Sequence, residues 1–251
     1  MPLERAAKHV VCPRGHSFDI ARSGYVNLLQ PQERRSQRPG DTPEAIAARR
    51  RLHDRGVTRP LLTAIFGKLG LTASDVVLDA GCGEGFFLGN LAEESGCAAH
   101  GVDISILAVD AAARRYPACE WIVANADRFL PYADDSFSVV LSITARRNAA
   151  EFRRVLREDG RLLIAVPAPD DLIELRGAGR DRVPGVLEEL GGSFTLVERR
   201  RATTAADLDA EAVHDVLVSI YRPLRAEPPV AMWLTFSLDL LLLGVAQALE
   251  T

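Results

Sequence analysis

Glycines at positions 81, 83 and 85 in the stretch VVLDAGCGEGFF, residues 76–87, mark the part of this chain best suited to chemistry. An apolar run leads through Asp79 into the glycines, and a helical pattern begins after them. Glycine at such places lets the backbone turn tightly and come close to a ligand at the carboxyl end of a strand. Asp103, followed by Ile104, closes the next apolar run, HGVDIS, and an acidic side chain there can accept hydrogen bonds from two ribose hydroxyls. Asn125, Ala126 and Asp127 close the run after that. The spacing is G-x-G-x-G rather than the G-x-G-x-x-G of a pyrophosphate loop, and Glu84 adds a negative charge. A pyrophosphate would be repelled there, whereas a cationic sulfonium with an amino-acid tail would be tolerated. Each residue also has a plainer reading. The glycines could serve only a strand-to-helix turn, Asp103 a helix N-cap, and ANAD an ordinary turn. Cys82, between two glycines, reads as a small packing residue.

These residues need a scaffold that brings several strand ends together. From residue 76 short β-type runs alternate with helical periodicity: VVLDAG, FFLGNLAEE, AAHGVDIS, ILAVDAAARRY, EWIVANA, FSVVLSI, AAEFRRVLRE and GRLLIAVP. That alternation predicts an α/β, doubly wound, mostly parallel seven-stranded sheet covered on both faces. After about residue 192, FTLVERRRATT and WLTFSLDLLLLGV flank one helical stretch and are expected to finish the sheet by a hairpin-like addition at its edge. Before residue 60 a Pro/Gly/Arg-rich connector leads to a helix expected to start near Thr42, with Pro43 at its first position. The expected division is a small N-terminal arm over residues 1–41 and a main domain over 42–251.

At 251 residues and 47% hydrophobic content, the chain can bury a substantial core. The most apolar late run, VAMWLTFSLDLLLLGVAQAL, is interrupted by Asp239 and reads as a strand with a short helical tail rather than a membrane span. With no apolar leader at the N-terminus, a soluble cytoplasmic protein without membrane contact is expected. The cysteines at 12, 82, 97 and 119 have no paired spacing, so reduced thiols are the default. Residues 1–60 carry 12 Lys and Arg against 6 Asp and Glu, leaving 18 against 28 in the remainder. A polyanion would therefore meet the N-terminal segment, unless its arginines are simply solvated.

The glycine stretch resembles the S-adenosyl-L-methionine site of class I methyltransferases. That resemblance implies a cofactor held by Asp79, Gly81, Gly83, Glu84 and Gly85, by Asp103 and Ile104, and by Asn125, Ala126 and Asp127 near the adenine. Longer motifs extend the likeness: C-P-x-x-H-x-F-D at 12–19, GYVNLL at 24–29, PGD at 39–41, AARR at 47–50, LDAGCGEGFF at 78–87, RRNAAEFRRVL at 146–156 and P-A-P-D-D-L-I-E-L-R at 167–176. Together they resemble the 23S rRNA (guanine-N1)-methyltransferases, a family that includes tylosin-type antibiotic-resistance enzymes.

The family implies an rRNA partner, met by Arg34, Arg35, Arg38, Arg49, Arg50 and Arg51, and an N-terminal zinc module with four ligands. Cys12 and His16 match its second ligand pair, residues 1–11 contain no cysteine for the first, and no tight zinc site is expected. Guanine N1 carries a proton, and Asp171 is the candidate catalytic base, with a helix N-cap at DLIEL as its alternative. Departures from the family pattern fall at Thr58, at Thr144, Ala145 and Arg146, at Asp171, and at Ser219, Ile220 and Tyr221. They leave open a small-molecule acceptor, with the arm as a lid, or a cofactor-binding homologue that has lost methyl transfer. Oligomeric state is not legible.

Overall fold

The computed structural model describes residues 4–5, 8–12, 14–30, 41–220 and 229–246. Strands β1 (Glu4–Arg5), β2 (His9–Val11) and β3 (Ser17–Asp19) form a small antiparallel sheet. The next strand, β4 (Val26–Asn27), leaves that sheet for the main one. Helices α1 (Pro43–Asp54) and α2 (Arg59–Leu69) follow. The start of α1 is set by local chemistry: the Thr42 hydroxyl accepts from Ala45 N–H, and Pro43 occupies the first turn, where no amide donor is needed.

The α/β body runs β5 (Val76–Ala80), α3 (Phe86–Ser95), β6 (Ala98–Asp103), α4 (Ile106–Arg115), β7 (Glu120–Val123), β8 (Phe137–Ile143), α5 (Ala149–Val155) and β9 (Leu156–Pro167). It ends with α6 (Ile173–Arg176), α7 (Val183–Leu190), β10 (Phe194–Leu208), α8 (Ala210–Ser219) and β11 (Met232–Val245). The main sheet has eight strands in the order β10-β11-β9-β8-β5-β6-β7-β4. Strands β4 to β9 are mutually parallel, and β11 and β10 are antiparallel to their neighbours. Seven of these strands are the expected ones. The eighth is β4, where Val26 pairs with Ile122 and Asn27 with Val123, so part of the N-terminal segment is built into the sheet edge.

Apolar residues of the central strands face two layers, as a parallel sheet requires. One layer holds Leu61, Ile65, Leu88, Leu91 and Val109 from α2, α3 and α4, and the other Phe152, Val155, Val186 and Leu190 from α5 and α7. A third cluster joins α1 to α8 through Leu52, Val57, Val213, Val216 and Leu234. The apolar run containing Asp239 is the strand β11, whose buried Asp239 is held by Arg199 and Arg201 of β10. No helix among the described residues is long and apolar enough to cross a membrane.

Candidate cofactor site at the glycine loop

The carboxyl ends of β5 to β9 lie along one edge of the sheet, because those strands run in the same direction. The residues following them therefore share that edge: the glycine loop after β5, Asp103 at the end of β6, Asn125–Asp127 after β7, Thr144–Arg146 after β8 and Asp171 after β9. Such an edge is where open α/β sheets take ligands.

All three glycines of the loop are left-handed, with φ of 92° at Gly81, 53° at Gly83 and 78° at Gly85. Their surroundings differ. A Cβ at Gly81 would lie 2.4 Å from that of Ala145, and one at Gly85 would lie 2.5 Å from the Trp121 ring. Those two glycines permit close packing as well as the turn. At Gly83 a Cβ would meet nothing within 4 Å. Its amide donates to Asp103 Oδ2 at 3.0 Å, and Asp103 Oδ1 accepts from Ser105 N–H at 2.8 Å. The cap of α4 is the Ser105 hydroxyl, so the N-cap reading of Asp103 does not apply.

Burial raises the pKa of Asp103 against the pull of those two amides. Asp79 is more perturbed: burial, and then the nearby Asp103 charge, push it up to about 8. Its Oδ1 is buried with no hydrogen-bond partner, a condition that a cationic or hydrogen-donating ligand would relieve. This orphaned oxygen and the unfilled space at Gly83 fit a cofactor that carries a positive charge and ribose hydroxyls. Cys82 is buried, and burial with three surrounding carboxylates lifts its thiol well above the ordinary range, which suits packing and not nucleophilic attack.

Glu84 faces α1. Its Oε1 lies 3.0 Å from His53 Nε2 and its Oε2 accepts from Arg49 Nε at 3.1 Å. Burial alone would raise Glu84, but the His53 hydrogen bond and the Arg49 charge bring it down to about 2. Arg49 also pairs with Asp41. Neither His53 nor this inward role of Arg49 was expected from the sequence. Their i,i+4 spacing, which places both on one helical face, was the available signal.

The remaining candidates are placed as follows. Ile104 is half-buried and packs on the core layer under α3 and α4. Asn125 Oδ1 accepts from Asp127 N–H at 3.2 Å, and Arg128 N–H donates to Asn125 O at 3.0 Å, so Asn125–Asp127 is a turn, with Ala126 half-buried inside it. The exposed Asp127 carboxylate meets Arg146 at 3.3 Å, and Asn148 donates to its carbonyl at 3.0 Å, which brings the turn against the loop after β8. Thr144 there has φ of 52°, a costly conformation for a β-branched residue.

Asp171 accepts from Ser237 N–H at 3.0 Å and pairs with Arg176 at 2.5 Å. The residue preceding α6 in the N-cap position is Leu172, so that alternative for Asp171 also falls. Among the described residues no hydrogen bond joins Asp171 to the glycine loop. Burial raises its pKa above the usual carboxylate range.

The helix arginines expected to meet phosphate have carboxylate partners within the chain. Arg49 is bound to Glu84 and Asp41, and Arg51 grips the buried Asp215 with contacts of 2.9 and 2.5 Å. Arg50 is exposed and lies 3.8 Å from Asp54. Arg34, Arg35, Arg38 and Tyr221 lie outside the described residues. In the arm, Cys12 Sγ and His16 Nδ1 are 3.4 Å apart, and no third Cys, His, Asp or Glu joins them among the described residues. Those two donors do not fit a closed four-ligand zinc shell. The four cysteines are all buried and unbridged.

Comparison with known proteins agrees with this geometry. A methyltransferase-domain model matches residues 77–163, and a zinc-ribbon model described as RlmA, N-terminal, matches residues 1–37. The chain is 37% identical over 228 residues to the 23S rRNA (guanine(748)-N(1))-methyltransferase of Streptomyces fradiae, covering 86% of this chain and 80% of that one. A demethylmenaquinone methyltransferase of Tropheryma whipplei is 34% identical over 106 residues, 38% of this chain and 43% of its own. Among solved structures, a chain from the complex of the Haloferax volcanii Trm112 methyltransferase activator with a methyltransferase superposes with a TM-score of 0.59 at 19% identity, over 82% of this chain and 96% of that chain. The MccD protein gives 0.51 at 18% identity, over 74% and 96%. At such identities these structures establish the fold: a class I methyltransferase architecture. The extent of the Streptomyces match, 86% of this chain and 80% of that one, establishes more: this chain belongs to the 23S rRNA (guanine-N1)-methyltransferase family.

Proposed function

We propose that this methyltransferase transfers a methyl group from S-adenosyl-L-methionine to N1 of a guanine in 23S rRNA. The observation that carries the acceptor is breadth of kinship: 228 residues align with an rRNA enzyme, whereas the alignment with a quinone-type methyltransferase stops at 106. The cofactor, when bound, supplies an electrophilic methyl on a sulfonium. In this reading Asp103 accepts the ribose hydroxyls, and Asp79 faces the cationic end. Gly81, Gly83 and Gly85 provide the close backbone approach, with Ile104 beside the ribose acid and Asn125, Ala126 and Asp127 at the adenine. The chain's remaining task is to hold the acceptor nitrogen in line with the methyl carbon and to remove its proton. Asp171 is the candidate for that proton, and taking it requires the carboxylate to release Arg176.

A second reading, a small-molecule acceptor, draws on the same structure. Arg49 and Arg51 are paired with carboxylates of the chain, and the loop after β8 carries Thr144 in a left-handed conformation followed by Ala145 and Arg146. Incubating the protein with labelled cofactor and a 23S rRNA fragment spanning guanine 748 separates the two. The rRNA reading expects N1-methylguanine by mass spectrometry, and loss of that product in D171N with cofactor binding retained. Cofactor binding with unmodified rRNA would move the assignment to the second reading.

A further inference from the structure

Glu84 lies between two left-handed glycines, Gly83 and Gly85, and is buried. Two residues of α1, one turn apart, hold it. His53 is in turn fixed on three sides. Its ring lies flat on Phe86, with centroids 3.8 Å apart and planes within 1°, while Phe87 meets it edge-on at 6.2 Å. Its Nδ1 is 2.6 Å from the Thr58 hydroxyl, and its Nε2 faces Glu84. A carboxylate accepts only, so Nε2 carries the hydrogen, and in the neutral ring Nδ1 accepts from Thr58 O–H. The structure gives the Thr58 hydroxyl this use.

The loop has reason to need such a hold. Glycines lose more conformational freedom on ordering than other residues, and two of them flank Glu84. Asp103 pins the loop at Gly83, and α1 pins it at Glu84. The helix is itself anchored away from the loop: Leu52 and Val57 pack with α8, and Arg51 grips Asp215.

We propose that His53, backed by Thr58, is a positioning residue for the cofactor loop, holding Glu84 so that the backbone from Gly83 to Gly85 keeps the shape that receives the adenosyl donor. This rests on the assignment of the cofactor to that loop. In this role His53 acts through Glu84.

The test is calorimetric titration of the full chain with S-adenosylhomocysteine, with thermal unfolding followed in parallel. In H53F the ring remains on Phe86 and the hydrogen bonds are lost; affinity is expected to fall roughly tenfold, the usual weight of a hydrogen bond to a charged group. H53Q, which restores a donor, is expected to recover most of that loss, and T58V to lose about threefold, as a neutral hydrogen bond would. Because His53 acts through Glu84, the double variant H53F/E84Q is expected to bind no more weakly than E84Q alone. Wild-type binding with an indifferent H53F, or losses that multiply in the double variant, would overturn the clamp alone. Absence of any wild-type binding would overturn the cofactor assignment and the clamp with it.

Discussion

Asp79 and Glu84 lie five residues apart and have opposite electrostatic fates. Among the described residues nothing offsets the burial of Asp79, which rises to about 8, while His53 and Arg49 more than offset that of Glu84, which falls to about 2. The sign for Asp79 follows from linkage: its contribution to stability is fully present below the unfolded carboxylate value and is lost as pH rises towards 8. The Tm of D79N relative to wild type is therefore expected to improve between pH 5.5 and pH 8. A cation placed beside Asp79 favours its ionised form, so cofactor binding near pH 7 should release close to one proton. Titrations in buffers of different ionisation enthalpy would detect it. A binding heat independent of buffer in the wild type, or equally dependent in D79N, would contradict this account of the residue.

At the level of elements, the C-terminal hairpin shows a buried acid inside an apolar strand. Asp239 is almost wholly buried, whereas Arg199 and Arg201 are part exposed and can return to water. Removing both guanidiniums leaves an unpaired charge in the interior, so R199A/R201A is expected to cost about 3–5 kcal/mol. D239N should cost less, and urea midpoints would rank the two. The reverse order would mean that the arginines, not the acid, are the strained partners. The strand itself was legible from its apolar run, but its polar partners were not, because they come from a strand some forty residues earlier. The start of α1 was legible for the opposite reason: Thr42 and Pro43 act on the adjoining turn. Strand β4 escaped notice because two residues carry no period, and only pairing with β7 defines them. The same division runs through the candidate site. The glycines and Asp103 were legible because strand ends and turns are local, whereas the partners of Glu84, Asp127 and Asp171 depend on tertiary neighbours.

Over the whole molecule, the charge asymmetry needs a narrower interpretation than the sequence suggested. Part of the positive excess before residue 60 is matched by acids beyond it: Glu84 pairs with Arg49, Asp215 with Arg51, and Asp209 and Glu211 with Arg55. R51A is therefore expected to lower the urea midpoint while leaving the salt dependence of binding to a 23S rRNA fragment unchanged. A shallower salt slope in R51A would return that arginine to the phosphate surface. The fold and family together make this chain a methyltransferase, and we propose that Asp103 and the glycine loop, at one edge of the sheet, hold an adenosyl donor. Calorimetric titration of wild type and D103A with S-adenosylhomocysteine is the decisive experiment. The account predicts saturable binding by wild type and a loss of at least about tenfold in D103A. Equal affinity in the two proteins, or no binding by either, would contradict it.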